Sequence, residues 1–163
     1  MRVLVSGASK HGSTDEIARR IGSVLVERGH DVDVFPPTEV GEVGRYDVVV
    51  LGSAIYAGHW QKEARQLADR QAGELVHRPV WLFSSGPVGD PLQPDEVPVD
   101  AERVRKTIHA FDHHIFAGKL EKKKLSMPER AVVKALRVPE GDYRDWEDVD
   151  LWAMSIADSI SSG

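Results

Sequence analysis

The chain has 163 residues, 41% of them hydrophobic, with a formal net charge of -5 and no cysteine. That length and apolar fraction suffice for a buried core, since a domain of ~150 residues hides roughly two-thirds of its unfolded surface. The absence of cysteine excludes disulfides, thiolate-held zinc, cysteine-ligated iron–sulfur clusters and thiol chemistry, and the mildly acidic balance gives no electrostatic footprint for nucleic acid.

Residues 1–6 form an apolar run too short for a secretion signal, and no segment reaches the ~20 apolar residues that span a bilayer, so a cytoplasmic protein is expected. Residues 3–5 read as a first strand. Residues 13–28 follow as a helix, with Ile17, Ile21, Val24 and Leu25 at helical spacing and Gly29 placed to end it. Residues 31–35 make a second strand stopped by Pro36 and Pro37, and residues 46–51, with Val48, Val49 and Val50, a buried third. A helix over 60–71 leads to a fourth strand over 80–83 and a Pro- and Gly-rich loop over 86–98. Residues 100–109 look helical, and Ile115 and Phe116 mark a fifth strand. The closing helix is signalled by Asp145 as N-cap, Glu147 and Asp148 in its first turn, and Trp146, Val149, Ala153, Ile156 and Ile160 on one face. Apolar runs alternating with helical patterns predict one α/β domain over residues 1–163, its five parallel strands ordered 2-1-3-4-5 with helices on both faces. In such sheets ligands sit beyond the carboxyl ends of the strands, so the loops that follow the strands should carry the chemistry.

The first of these loops reads Ser6-Gly7-Ala8-Ser9-Lys10-His11-Gly12-Ser13-Thr14. Small residues between a strand and a helix let backbone N–H groups converge on an anion, and Ser9, Ser13 and Thr14 add hydroxyls. An ordinary tight turn uses the same residues, so composition leaves both readings open. Gly7 and Gly12 are spaced as in a nucleotide P-loop, but Ser13 replaces the lysine that loop requires. The dinucleotide fingerprint lacks its middle glycine at Ser9, and the second strand ends Val34-Phe35-Pro36 with no acid for a ribose. A phosphoacceptor receiver domain would need an aspartate where Gly52 stands. What remains is a monophosphate held by hydroxyls and backbone.

The run Ser9-Lys10-His11-Gly12-Ser13-Thr14 resembles the flavodoxin phosphate loop, and Val50-Leu51-Gly52-Ser53-Ala54-Ile55-Tyr56-Ala57-Gly58-His59 is similar to a segment of the flavodoxin-like menaquinone-dependent protoporphyrinogen dehydrogenases. Phe116-Ala117-Gly118 and Asp145-Trp146-Glu147-Asp148-Val149 resemble that family too. The resemblance implies a flavodoxin-like three-layer sandwich and one FMN. Its phosphate would lie on Ser9, Lys10, His11, Gly12, Ser13 and Thr14, and its ring between Ser53, Ala54, Ile55, Tyr56, Ala57 and Gly58 on one side and Ser84, Ser85, Gly86 and Gly89 on the other. A flavin ring needs a flat slot with an apolar wall and polar groups at one edge. Tyr56 suits stacking, Ser53 suits a hydrogen bond, and Ala57-Gly58 stands where a flavodoxin peptide flips on reduction. His59 reads either as a flavin contact or as the opening of the next helix. The loop Ser84-Ser85-Gly86-Pro87-Val88-Gly89-Asp90 lacks the aromatic that flavodoxins often place there, which implies a more open ring face suited to a substrate or quinone.

An insert over 119–139 carries Lys119, Lys122, Lys123 and Lys124, then Ser126-Met127-Pro128-Glu129, a capping box for a short helix. Val132, Val133 and Leu136 share one side of that helix, and Arg130, Lys134 and Arg137 another. Packing on its own domain is the simpler reading; peripheral contact with an anionic membrane is the alternative. His109, His113 and His114 lack a carboxylate cluster at ligand spacing, so no metal site is expected. The expected function is FMN-dependent redox chemistry on a small molecule or quinone, for instance a protoporphyrinogen-like tetrapyrrole. The alternative is electron transfer between redox partner proteins. The modest acidity and the missing aromatic favour the enzyme.

Overall fold

Strands alternate their side chains between the two faces of a sheet, and here both faces are apolar, so the chain builds a core on each. The computed structural model describes residues 1–88 and 97–162. Its elements are β1 (Arg2–Ala8), α1 (Ser13–Glu27), β2 (Asp31–Val34), β3 (Val48–Tyr56), β4 (His59–Trp60), α2 (Lys62–Arg70), α3 (Ala72–Leu75), β5 (Val80–Ser85), α4 (Val99–Ile108), β6 (Asp112–Phe116), β7 (Lys119–Leu120), α5 (Met127–Leu136), β8 (Gly141–Asp142) and α6 (Trp146–Ser162). The main strands pair in parallel in the order β2-β1-β3-β5-β6, which is the 2-1-3-4-5 order expected once the short β4 is set aside.

Val3, Val5, Val48, Val50 and Phe83 face α1 and α6, where they meet Ile17, Ile21, Leu25, Trp152 and Ile156. Leu4, Val49, Leu51, Val80 and Leu82 face the other way, against Leu67 of α2 and Val104 and Ile108 of α4. Each fully buried side chain of this size contributes roughly 1.5–3 kcal/mol from burial alone.

The strands run further toward their carboxyl ends than their apolar residues suggest. Ser53 to Tyr56, expected as a loop, continue β3: Ser53 pairs in register with Ala8 and with Ser84, and Ala54 with Ser85. Small side chains let the ladder extend, and extension satisfies backbone groups that would otherwise be buried unpaired. β3 then turns back on itself through Ala57 (φ 51°) and Gly58 (φ 79°), the doubly positive geometry that two-residue hairpins favour, and returns as β4 with Tyr56 opposite His59. Trp60 therefore belongs to a strand, and the helix expected from residue 60 begins at Lys62.

Beyond β6, β7 and β8 pair antiparallel and bracket α5. The predicted capping box forms: Glu129 N donates to Ser126 Oγ (3.4 Å) and Ser126 N to Glu129 Oε1 (3.2 Å). The backbones of the loops after β5 and β6 nearly touch, since a Cβ on Gly118 would lie 2.9 Å from Gly86 Cα.

Candidate functional site

The carboxyl ends of β1, β3 and β5 open on a cavity of about 270 Å³. Its first wall is the loop into α1. Gly12 takes φ 93°, a left-handed backbone that favours glycine, and its N–H donates to Ser9 Oγ (2.9 Å). Thr14 is buried in the first turn of α1, while Lys10, His11 and Ser13 face the cavity beside it. The loop is held from behind by Arg144, whose side chain is only 4% exposed. Its Nη1 donates to Ser13 O (3.3 Å) and lies 3.3 Å from Glu16, its Nη2 pairs with Asp142 (2.8 Å), and its guanidinium covers the Trp146 ring at 4.7 Å.

The second wall is the β3–β4 hairpin, with Ala54, Ile55, Tyr56 and Ala57 lining the cavity. Lys10 Nζ stands 3.5 Å from the centroid of the Tyr56 ring, in cation–π contact. The third wall is Ser85, Gly86 and Val88. Ser85 Oγ is buried there with no hydrogen-bond partner among the described residues, an arrangement that native structures seldom leave unexplained.

Five of the expected site residues lie behind these walls rather than on them. Ser9 bonds its own loop, and Gly12 and Gly58 shape turns. Ser53, fully buried, accepts from Gln61 N (2.8 Å) and donates to Ala54 O (2.8 Å), so its hydroxyl ties the hairpin to the start of α2. Ser84 accepts from Trp60 Nε1 (2.8 Å) and shares a 2.7 Å hydrogen bond with His113 Nε2, whose pKa burial pushes down. Gly89 lies outside the described residues. His59 neither opens a helix nor lines this cavity; its Nδ1–H donates to Asp100 (3.0 Å). His113 and His114 lean to opposite sides of β6, His114 donating to Asp148 (3.0 Å), and His109 ends α4 in a left-handed conformation. Among the described residues no cluster of His, Asp and Glu could hold a metal ion.

The largest surprise is the roof. Leu125, Glu129, Val132, Val133 and Val138, all from the insert, line the cavity, so the insert packs on its own fold and over the site. Glu129, 6% exposed, reaches the first loop with both oxygens: Oε2 accepts from His11 Nε2 (2.9 Å) and Oε1 lies 3.1 Å from Lys10 Nζ. Burial alone would raise this carboxyl's pKa, but hydrogen bonds from His11, Ser126 and Lys10 outweigh it and bring it down to about 2. The capping box identifies Glu129 as a helix cap, but nothing local in the sequence says that its side chain meets a loop 118 positions away.

A parallel sheet in this order, with a hydroxyl-lined loop entering α1 and a cavity at the strand ends, defines a flavodoxin-type protein. The chain belongs to the flavodoxin domain family, whose profile matches residues 4–147. Across 174 aligned residues it is 26% identical to protoporphyrinogen IX dehydrogenase [quinone] of Escherichia coli K12, covering 96% of this chain and 95% of that protein. In fold it is similar to a flavodoxin from the domain Archaea (TM-score 0.67, 16% identity, 99% of each chain). It is equally similar to part of the rubredoxin oxygen:oxidoreductase of Desulfovibrio gigas (TM-score 0.67, 13% identity, 99% of this chain and 36% of that one). No helix among the described residues is long and apolar enough to cross a membrane.

Proposed function

We propose that the chain binds one FMN in this cavity and serves as an oxidoreductase for a small molecule or quinone. The observation that carries this reading is the cavity itself, walled at the ends of β1, β3 and β5 by the loop into α1, the β3–β4 hairpin and Ser85–Gly86. The donor set fits the two ends of FMN: hydroxyls and helix N–H groups at Ser13 and Thr14 for the phosphate, and the apolar edge of Ile55 and Tyr56 for a flat ring. Once bound, FMN supplies the electron-transfer chemistry. The protein's own residues bind and exclude water. Arg144 fixes Ser13, Gly12 lets the loop turn, and the α5 roof closes one side. A roofed cavity suits a small-molecule substrate better than contact with a carrier protein, and the E. coli relative's name describes such a reaction. Calorimetry is expected to give one FMN per chain, with riboflavin, which lacks the phosphate, at least tenfold weaker. Equal affinity for the two would overturn the phosphate assignment.

The outer side of the insert supports a membrane-borne partner for the same chemistry. Met127 (76% exposed) stands on the same segment as Lys122, Lys123, Lys124, Arg130 and Lys134. Each lysine near an anionic bilayer contributes about 1 kcal/mol. Binding to vesicles containing phosphatidylserine at low salt, lost when Lys122, Lys123 and Lys124 become Gln, is the expected result; indifference to vesicles would exclude this contact.

A further inference from the structure

A second pocket of about 360 Å³ opens on the other side of the β3–β4 hairpin. It shares Tyr56, Ala57 and Gln61 with the first cavity, so a molecule seated in it would reach past the hairpin tip toward the same ring-binding wall. Trp60 lies buried beneath it, and one side is the first turn of α2, with Lys62 and Arg65.

Arg19, Arg20, Arg28, Arg78, Arg103 and Lys106 each pair with a carboxylate. Lys62 and Arg65 form no ion pair or side-chain hydrogen bond among the described residues, and Arg65 Nε is fully buried without a partner. The nearby acid, Asp100, is already engaged: its Oδ2 accepts from Trp60 N (3.0 Å) and from His59 Nδ1 (3.0 Å). An open pocket with two unneutralised cations on one side and the exposed Tyr56 at its edge suits a planar anion.

We infer that Lys62 and Arg65 anchor the carboxylate of a flat, carboxylate-bearing substrate, whose body lies along Tyr56 toward the cofactor cavity. The guanidinium offers the planar fork that matches a carboxylate, and Lys62 adds a point charge at the rim. This deepens the oxidoreductase reading and rests on it only for what happens at the far end of the substrate; the anchor itself is a property of α2 and the hairpin. The two cations act as specificity residues, selecting among flat molecules by their acid groups.

The test titrates the FMN-supplemented protein with protoporphyrin IX, a flat dicarboxylic acid, and with its dimethyl ester, following the porphyrin absorbance. The diacid is expected to bind at least tenfold more tightly than the diester, a gap on the scale of one charge-assisted hydrogen bond. Lys62→Gln with Arg65→Gln should close that gap while leaving diester binding, the melting temperature and FMN affinity unchanged. Arg65→Lys should restore only part of it, because the fork is lost. Equal binding of diacid and diester by the unaltered protein, or an unchanged diacid affinity in the double variant, would overturn the anchor. A protein that ignores FMN but still loses diacid binding in the double variant would retain the anchor and lose the cofactor reading.

Discussion

Two buried acids each hold a histidine, Glu129 in the cavity roof and Asp100 behind the β3–β4 hairpin, and they serve the fold in different ways. Glu129 (6% exposed) meets the Lys10 ammonium and the His11 imidazole, which come from the loop into α1. Asp100 (8% exposed) meets a backbone N–H and an imidazole N–H, from Trp60 and His59 of the hairpin. The first is a charge contact between distant segments, and its strength follows proton occupancy. The second sits in the first turn of α4, where the helix dipole favours a carboxylate, and it fixes the path of a strand. Both acids bond a histidine, and they differ in the second partner, an ammonium for Glu129 and a backbone N–H for Asp100.

Removing each acid separates the two modes. Glu129→Ala deletes both the capping box and the pairing with Lys10 and His11, and should cost about 3 kcal/mol in urea unfolding at pH 7. The pairing share is pH-dependent with a definite sign. The carboxyl titrates at 4.5 when unfolded and about 2 when folded, so the unfolded chain binds the extra proton between those values. The stabilisation is complete above pH 4.5 and is lost as pH falls from there toward 2. Discounted for the solvent that reaches Lys10 and His11, it amounts to about 2 kcal/mol. Glu129→Gln keeps the cap and should flatten that part of the pH profile; an unchanged profile would show that the contact contributes nothing.

Asp100→Ala should have the smaller effect, about 2 kcal/mol, because it strands the buried Trp60 N–H without removing a charge pair from the first loop. The decline of stability below pH 4.5 should persist in this variant. If Asp100→Ala abolished that decline and Glu129→Gln did not, the roles assigned to the two acids would be reversed.

The same contrast explains what could be read from the sequence. The valine-rich strands, the helix spacing of Ile17 and Ile21, and the Ser126–Glu129 cap are local patterns, and the sheet order, both cores and the start of α5 follow from them. The loop from Ser9 to Thr14 was legible for a similar reason: turn chemistry is written in consecutive residues. The end of β3 was not. Ser53, Ala54 and Ala57 carry no strand signal, and the ladder continues because neighbouring strands are already in place to receive it. Ser53 and Ser84 look like ligand hydroxyls by type, but Gln61 N and Trp60 Nε1 reach them first. The roof was hidden for the opposite reason, since α5 shows its amphipathic face plainly without saying which surface it covers. Arg144 gave no signal, as its partners Ser13 and Glu16 are brought to it only by the completed fold.

The Ser53 hydroxyl ties the last stretch of the central strand to the first amide of the segment leading into α2. The bond lies at the base of the β3–β4 hairpin, whose residues Tyr56 and Ala57 line both cavities, so the wall that the two cavities share is anchored to the start of α2 through one hydroxyl.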